Sequence, residues 1–76
     1  MAAQPGRESF PQLTEREREV LDLVARGYDN HRIAKALFLS DKTVRNHMST
    51  VLTKLGASDR AEAVQRARRA GMGTVA

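Results

Sequence analysis

Apolar residues recur along this chain at helical spacing, and no stretch keeps the two-residue alternation of a strand for long. Val20, Leu21, Leu23 and Val24 form the first apolar stripe. Thr14 precedes it with Glu17 three residues on, the pattern of a capping box in which each side chain satisfies an otherwise orphaned backbone N–H. Gly27 is placed to stop that helix. Ile33, Ala34 and Leu37 mark a second, shorter helix capped by Asp29, and Phe38 and Leu39 form the corner after it. The third helix opens at Ser40, with Asp41 behind it favouring the positive helix end, and runs to Leu55 before Gly56. The fourth starts at Asp59, with Glu62 completing a second capping box, and ends at Gly71. The pattern predicts an all-α, four-helix bundle-like domain over residues 13–71. Residues 1–12 hold Pro5, Gly6 and Pro11 without an apolar period and read as a flexible lead-in or linker; residues 72–76 read as a flexible tail.

The third helix carries two different stripes. Val44, Met48, Val51, Leu52 and Leu55 share one face, fit to pack on the first two helices. Lys42, Arg45, Asn46, Ser49 and Thr53 share the other, which has neither an apolar nor an acidic member. Any amphipathic helix has a solvated face, but such faces usually mix Glu with Lys to gain pairs one turn apart. Here Asp41 is the one acid, and it sits at the N-terminus. These residue types suit the DNA major groove. Arg donates two hydrogen bonds to guanine, Asn pairs with adenine, and hydroxyls serve base edges or phosphates. Lys42, with Ser40 or Thr43 near the helix start, is placed to hold phosphate oxygens.

Composition sharpens this picture. The chain has 76 residues, a formal charge of +4 and no cysteine. That suffices for one small domain and excludes disulfides and thiolate zinc sites. At this size only roughly 60–65% of the unfolded surface is buried, so a binding surface is more natural than a deep catalytic cavity. No apolar run approaches the length of a membrane span, and the first residues lack the core of a signal peptide; both suit the cytoplasm. The charge is unevenly spread. Residues 13–29 carry three cations against five acids, whereas residues 30–56 carry five cations against one acid. A positive middle beside a negative start points to a polyanion.

A short helix, a tight corner and a longer polar-faced helix make the helix-turn-helix arrangement, in which the second helix enters the major groove and the first crosses the backbone. Arg32 and Lys35 would then lie near phosphates. The residues also become recognisable here. The run from Leu13 to Leu21, Asn30-His31-Arg32-Ile33-Ala34, Ser40-Asp41-Lys42-Thr43-Val44-Arg45-Asn46-His47-Met48, Lys54-Leu55-Gly56 and Arg60-Ala61-Glu62-Ala63-Val64 together resemble the LuxR-type (NarL- or GerE-type) domain of bacterial transcription regulators. The resemblance covers residues 13–70 with matching spacing. It implies sequence-specific binding of double-stranded DNA for transcription regulation, with the segment 41–55 as recognition helix, in the output domain of a response regulator or quorum-type regulator, although some members of the family are free-standing proteins about this short. It implies that Arg45, Asn46 and Ser49 face base edges and that Lys42, Thr43 and Lys54 lie near phosphate. It further implies a homodimer through the helix 59–70, where Ala63, Val64 and Ala67 offer a small-residue face. Two positions depart from the family pattern. Ser49 stands where relatives often carry a base, and Phe38 stands in a corner that often uses glycine; Phe38 is expected to pack beneath that corner.

The same residues admit other readings. An interaction module docking through helices one and four is motivated by the acidic first helix and by Ala63, Val64 and Ala67. It coexists with DNA binding if helix one touches RNA polymerase. Region 4 of a sigma factor is a related DNA-binding reading, disfavoured by the capping-box opening and the Lys54-Leu55-Gly56 ending. An enzyme is disfavoured because Ser40 and His47 lie about two helical turns, roughly 10 Å, apart. His47 is expected at the core edge or near the backbone, and no cofactor or metal site is expected, since no cysteine and only His31 accompany it. Arg66, Arg68 and Arg69 fit either a phosphate patch or a solvated helix end.

Overall fold

The computed structural model describes residues 10–73 and holds four helices: α1 Glu15–Ala25, α2 Asn30–Leu37, α3 Asp41–Leu55 and α4 Arg60–Arg69. Each begins on a side-chain cap. Thr14 Oγ1 accepts from the Glu17 N–H at 3.1 Å while Glu17 Oε1 accepts from the Thr14 N–H at 2.8 Å, so the first capping box is complete. Asp29 accepts from Arg32 N–H at 2.8 Å and Ser40 from Thr43 N–H at 3.0 Å. The second box is shifted. Asp59 accepts from the Glu62 N–H, but the Glu62 carboxylate reaches one residue further back, to the N–H and hydroxyl of Ser58. Each such cap contributes about 1 kcal/mol.

α1 lies at the centre and packs on the other three helices. The core joins Val20, Leu21 and Val24 of α1, Ile33 and Ala34 of α2, Val44, Met48, Val51 and Leu55 of α3, and Ala63 and Ala67 of α4. The apolar stripe of α3 is thus buried, with Leu52 half-buried beside it, and each large side chain in it contributes about 1.5–3 kcal/mol.

The packed chain extends past residues 13–71 at both ends. Phe10 is buried against the core, and its carbonyl accepts from the buried Arg18 guanidinium at 2.9 Å. Met72 is also buried, and the Gly73 N–H donates to Asp22 at 2.8 Å. Gly73 has φ +73°, and a Cβ there would lie 2.6 Å from the Cβ of Ala25, so only glycine fits against α1. A lone aromatic and a lone methionine, each outside any periodic run, leave no periodic signal of burial. The lead-in and tail expectations for residues 1–9 and 74–76 lie outside the described residues.

The corner between α2 and α3 departs from expectation. Phe38 caps α2 in the left-handed conformation, φ 57° and ψ 44°. Its side chain is 94% exposed instead of packed beneath the turn. The left-handed backbone supplies the sharp reversal that glycine often provides, and it turns this Cβ outward. Leu39 fills the space under the corner, half-buried against the core.

Candidate nucleic-acid interface

The outward face of α3 is a direct product of its inward one. With Val44, Met48, Val51 and Leu55 turned to the core, 100° per residue leaves Lys42, Arg45, Asn46, Ser49 and Thr53 in solvent, and all five are exposed. Thr50 is exposed beside them, one turn beyond Asn46, and the sequence reading missed it. Its spacing of four from Asn46 was the available signal. Asp41 turns aside, its carboxylate 3.6 Å from His31 Nδ1 on α2. Among the described residues no ion pair engages Lys42, Arg45 or Lys35. The Thr53 hydroxyl donates to the Ser49 carbonyl at 3.1 Å, which removes one of its hydrogen-bonding options. His47 is half-buried.

The phosphate candidates divide. Ser40, Lys42 and Lys35 are exposed and Thr43 is half-buried, with the Ser40 hydroxyl donating to the Thr43 hydroxyl at 2.9 Å. Arg32 is exposed, its guanidinium 3.9 Å from the centre of the Tyr28 ring. Lys54 is different. Its ammonium donates to Glu17 Oε1 at 2.9 Å, so it ties the end of α3 to the cap of α1. Burial alone would raise the Glu17 pKa, but the Thr14 N–H and the Lys54 ammonium outweigh it and hold the carboxyl below its ordinary value.

The small-residue face of α4 is corrected. Ala63 and Ala67 are fully buried inside this one chain and cannot meet a second copy; Val64 is half-buried. Small residues on a helix mark close approach, and α4 packs chiefly on α1 of the same chain. The outer surface of α4 carries Ala61, Gln65 and Arg68, next to an open groove also lined by Val24, Tyr28 and Val64. Arg60 braces this region, donating to Asn30 Oδ1 and to the Tyr28 carbonyl, both at 2.7 Å. Arg66 donates to the Leu55 carbonyl and pairs with Glu62, and Arg68 donates to the Ala25 carbonyl at 3.0 Å. The Ser58 N–H, the Ser58 hydroxyl and Arg66 together pull the Glu62 carboxyl from 4.5 to about 2. The described residues contain no helix long and apolar enough to cross a membrane.

A capped short helix, a left-handed corner and a longer helix with an acid-free outer face define a DNA-binding helix-turn-helix domain. Residues 11–67 match the model of the bacterial regulatory proteins of the luxR family, and the chain belongs to that family. It is 49% identical over 59 residues to an uncharacterized transcriptional regulatory protein, YhcZ, of Bacillus subtilis. It is 52% identical over 52 residues to the transcriptional regulatory protein DegU of Brevibacillus brevis, and 49% identical over 57 residues to the response regulator protein VraR of Staphylococcus aureus. These matches cover 78, 68 and 75% of this chain but 28, 22 and 27% of the respective relatives. The chain therefore spans about a quarter of the length of the curated relatives it matches.

Proposed function

We propose that this chain binds double-stranded DNA in a sequence-specific way, with α3 as the helix that enters the major groove. Arg45 and Asn46 read base edges, with Ser49 and Thr50 beside them offering shorter hydroxyl contacts. Lys42, Ser40 and Thr43 at the start of α3, and Arg32 and Lys35 on α2, engage phosphates. Lys54 acts chiefly through Glu17, as a tie that orients α3. Two copies pair through the outer surface of α4 around Ala61, Val64 and Gln65, placing two recognition helices on two half-sites. The domain serves as the output end of a regulator, a reading supported by its similarity to a response regulator protein.

The observation that carries this reading is the outer face of α3, where two cations, an amide and hydroxyls stand exposed without an acid among them. The test is Arg45→Ala, assayed on an operator obtained by oligonucleotide selection and on random DNA. Cognate affinity should fall by about 1–3 kcal/mol and preference at one base position should relax. Equal losses on both DNAs would remove Arg45 from base reading.

A further inference from the structure

We infer that Thr50 fixes one base identity in the operator: its γ-methyl packs on the C5 methyl of a thymine within about two base pairs of the pair that Asn46 reads. This rests on the DNA-binding reading above. It adds to the hydroxyl contact assigned there a second, apolar contact that selects one base.

The core stripe of α3 sets where its free face points. Val44, Met48, Val51 and Leu55 are buried, and the direction opposite their mean passes between Asn46 and Thr53. At about 100° per residue, Ser49 and Thr50 fall about 50° to either side of that direction, closer to it than Arg45 at about 90°. Both are exposed. A helix that presents Ser49 to a groove therefore presents Thr50 equally.

The side chains around Thr50 are already engaged, and Thr50 is not. The Thr53 hydroxyl donates to the Ser49 carbonyl, the Thr43 hydroxyl accepts from Ser40, and Lys54 is held by Glu17. Among the described residues no hydrogen bond engages the Thr50 hydroxyl, and the exposed side chain belongs to no part of the core. A β-branched residue at an exposed mid-helix position is a weak helix former. Thr50 thus contributes little to the fold it stands on.

Charge decides which part of the DNA it meets. The free cations Lys42 and Arg45 lie on the Ser49 side of the outward direction, and the one cation near Thr50, Lys54, is tied to Glu17. Asn46 and Thr50 therefore form an uncharged edge, which favours bases over phosphates. They are one turn apart, about 6 Å along the axis, against a rise of about 3.4 Å per base pair. An asparagine amide pairs with adenine, and a threonine methyl meets the thymine methyl, the one methyl that the four bases show in the major groove. A phosphate would take the hydroxyl and leave the methyl unused.

The experiment uses the whole chain and its operator from oligonucleotide selection, with each thymine replaced in turn by uracil, which lacks only the C5 methyl. For the native chain one replacement in each half-site should weaken binding by about fourfold, the worth of one buried methyl-sized group. Thr50→Val keeps the methyl and should keep that sensitivity. Thr50→Ser lacks it and should bind the thymine and uracil forms alike. Asn46→Ala should relax base preference within about two pairs of the sensitive thymine. A selected operator with no uracil-sensitive position would overturn the proposal. So would sensitivity retained in Thr50→Ser, sensitivity lost in Thr50→Val, or an Asn46→Ala effect farther along the operator. A native chain that selects no operator at all would instead sink the DNA-binding reading on which this one rests.

Discussion

α3 and α4 are both rich in basic residues, yet they use them in opposite ways. On α4, Arg60, Arg66 and Arg68 donate to main-chain carbonyls of Tyr28, Leu55 and Ala25 and fasten the helix to the rest of the chain. On α3, Lys42 and Arg45 stand exposed with no ion pair among the described residues. Net charge does not separate the two helices; the fate of each donor does. A guanidinium already bonded to a carbonyl must break that bond before it can serve a phosphate, whereas an unengaged one gives up only water. Arg60, Arg66 and Arg68 of α4 are therefore structural, and Lys42 and Arg45 in the first half of α3 are free for a ligand.

Lys54 offers the sharpest test of this contrast, because it sits on α3 but is used like the arginines of α4. Lys54→Met should destabilise the fold by about 2–3 kcal/mol, less than the loss for a fully buried pair because Lys54 is partly exposed. Denaturant melts would show this, while the salt slope of DNA binding stays unchanged. A slope reduced by about one would instead place Lys54 on a phosphate. Arg60→Ala should follow at about 1–3 kcal/mol, since it leaves Asn30 and the Tyr28 carbonyl without their donor. The ratio of cognate to random DNA affinity, measured below the melt, should not move. Lys42→Ala should do the reverse: stability within about 0.5 kcal/mol of native, and a DNA salt slope lower by about one.

The smallest effect is one of pH. The Glu62 carboxyl is held at about 2 against an ordinary 4.5, and Glu17 is lowered as well. A lowered folded pKa stabilises the fold fully above the ordinary value and loses that contribution as acid protonates the folded form. The melting-temperature gap between the native chain and Glu62→Gln should therefore be constant above about pH 5 and close between 4.5 and about 2. A gap that persists at pH 2 would detach this effect from the charge on Glu62.

Local features were legible in the sequence, and long-range ones were not. The caps at Thr14, Asp29, Ser40 and Asp59 involve partners three residues away, so spacing alone exposes them. The two faces of α3 follow from helical period for the same reason. Lys54 and Glu17 are 37 residues apart, and no local pattern ties them. Ala63 and Ala67 were read, with Val64, as a small-residue face for a second copy, because sequence does not say whether the neighbour is the same chain or another. Phe38 was misplaced because periodicity assigns apolar residues inward, while a left-handed backbone sends this one out. Phe10 and Met72 lie in segments whose composition conceals their burial.

The Arg60 brace has a metric consequence for a paired regulator. It locks the amino end of α4 to the start of α2, so two subunits joined along α4 would carry their probes like the jaws of a caliper. Inserting one base pair between half-sites rotates the second by about 35° and shifts it by about 3.4 Å. Jaws that cannot swing would reject such an operator; releasing the brace should let them tolerate it.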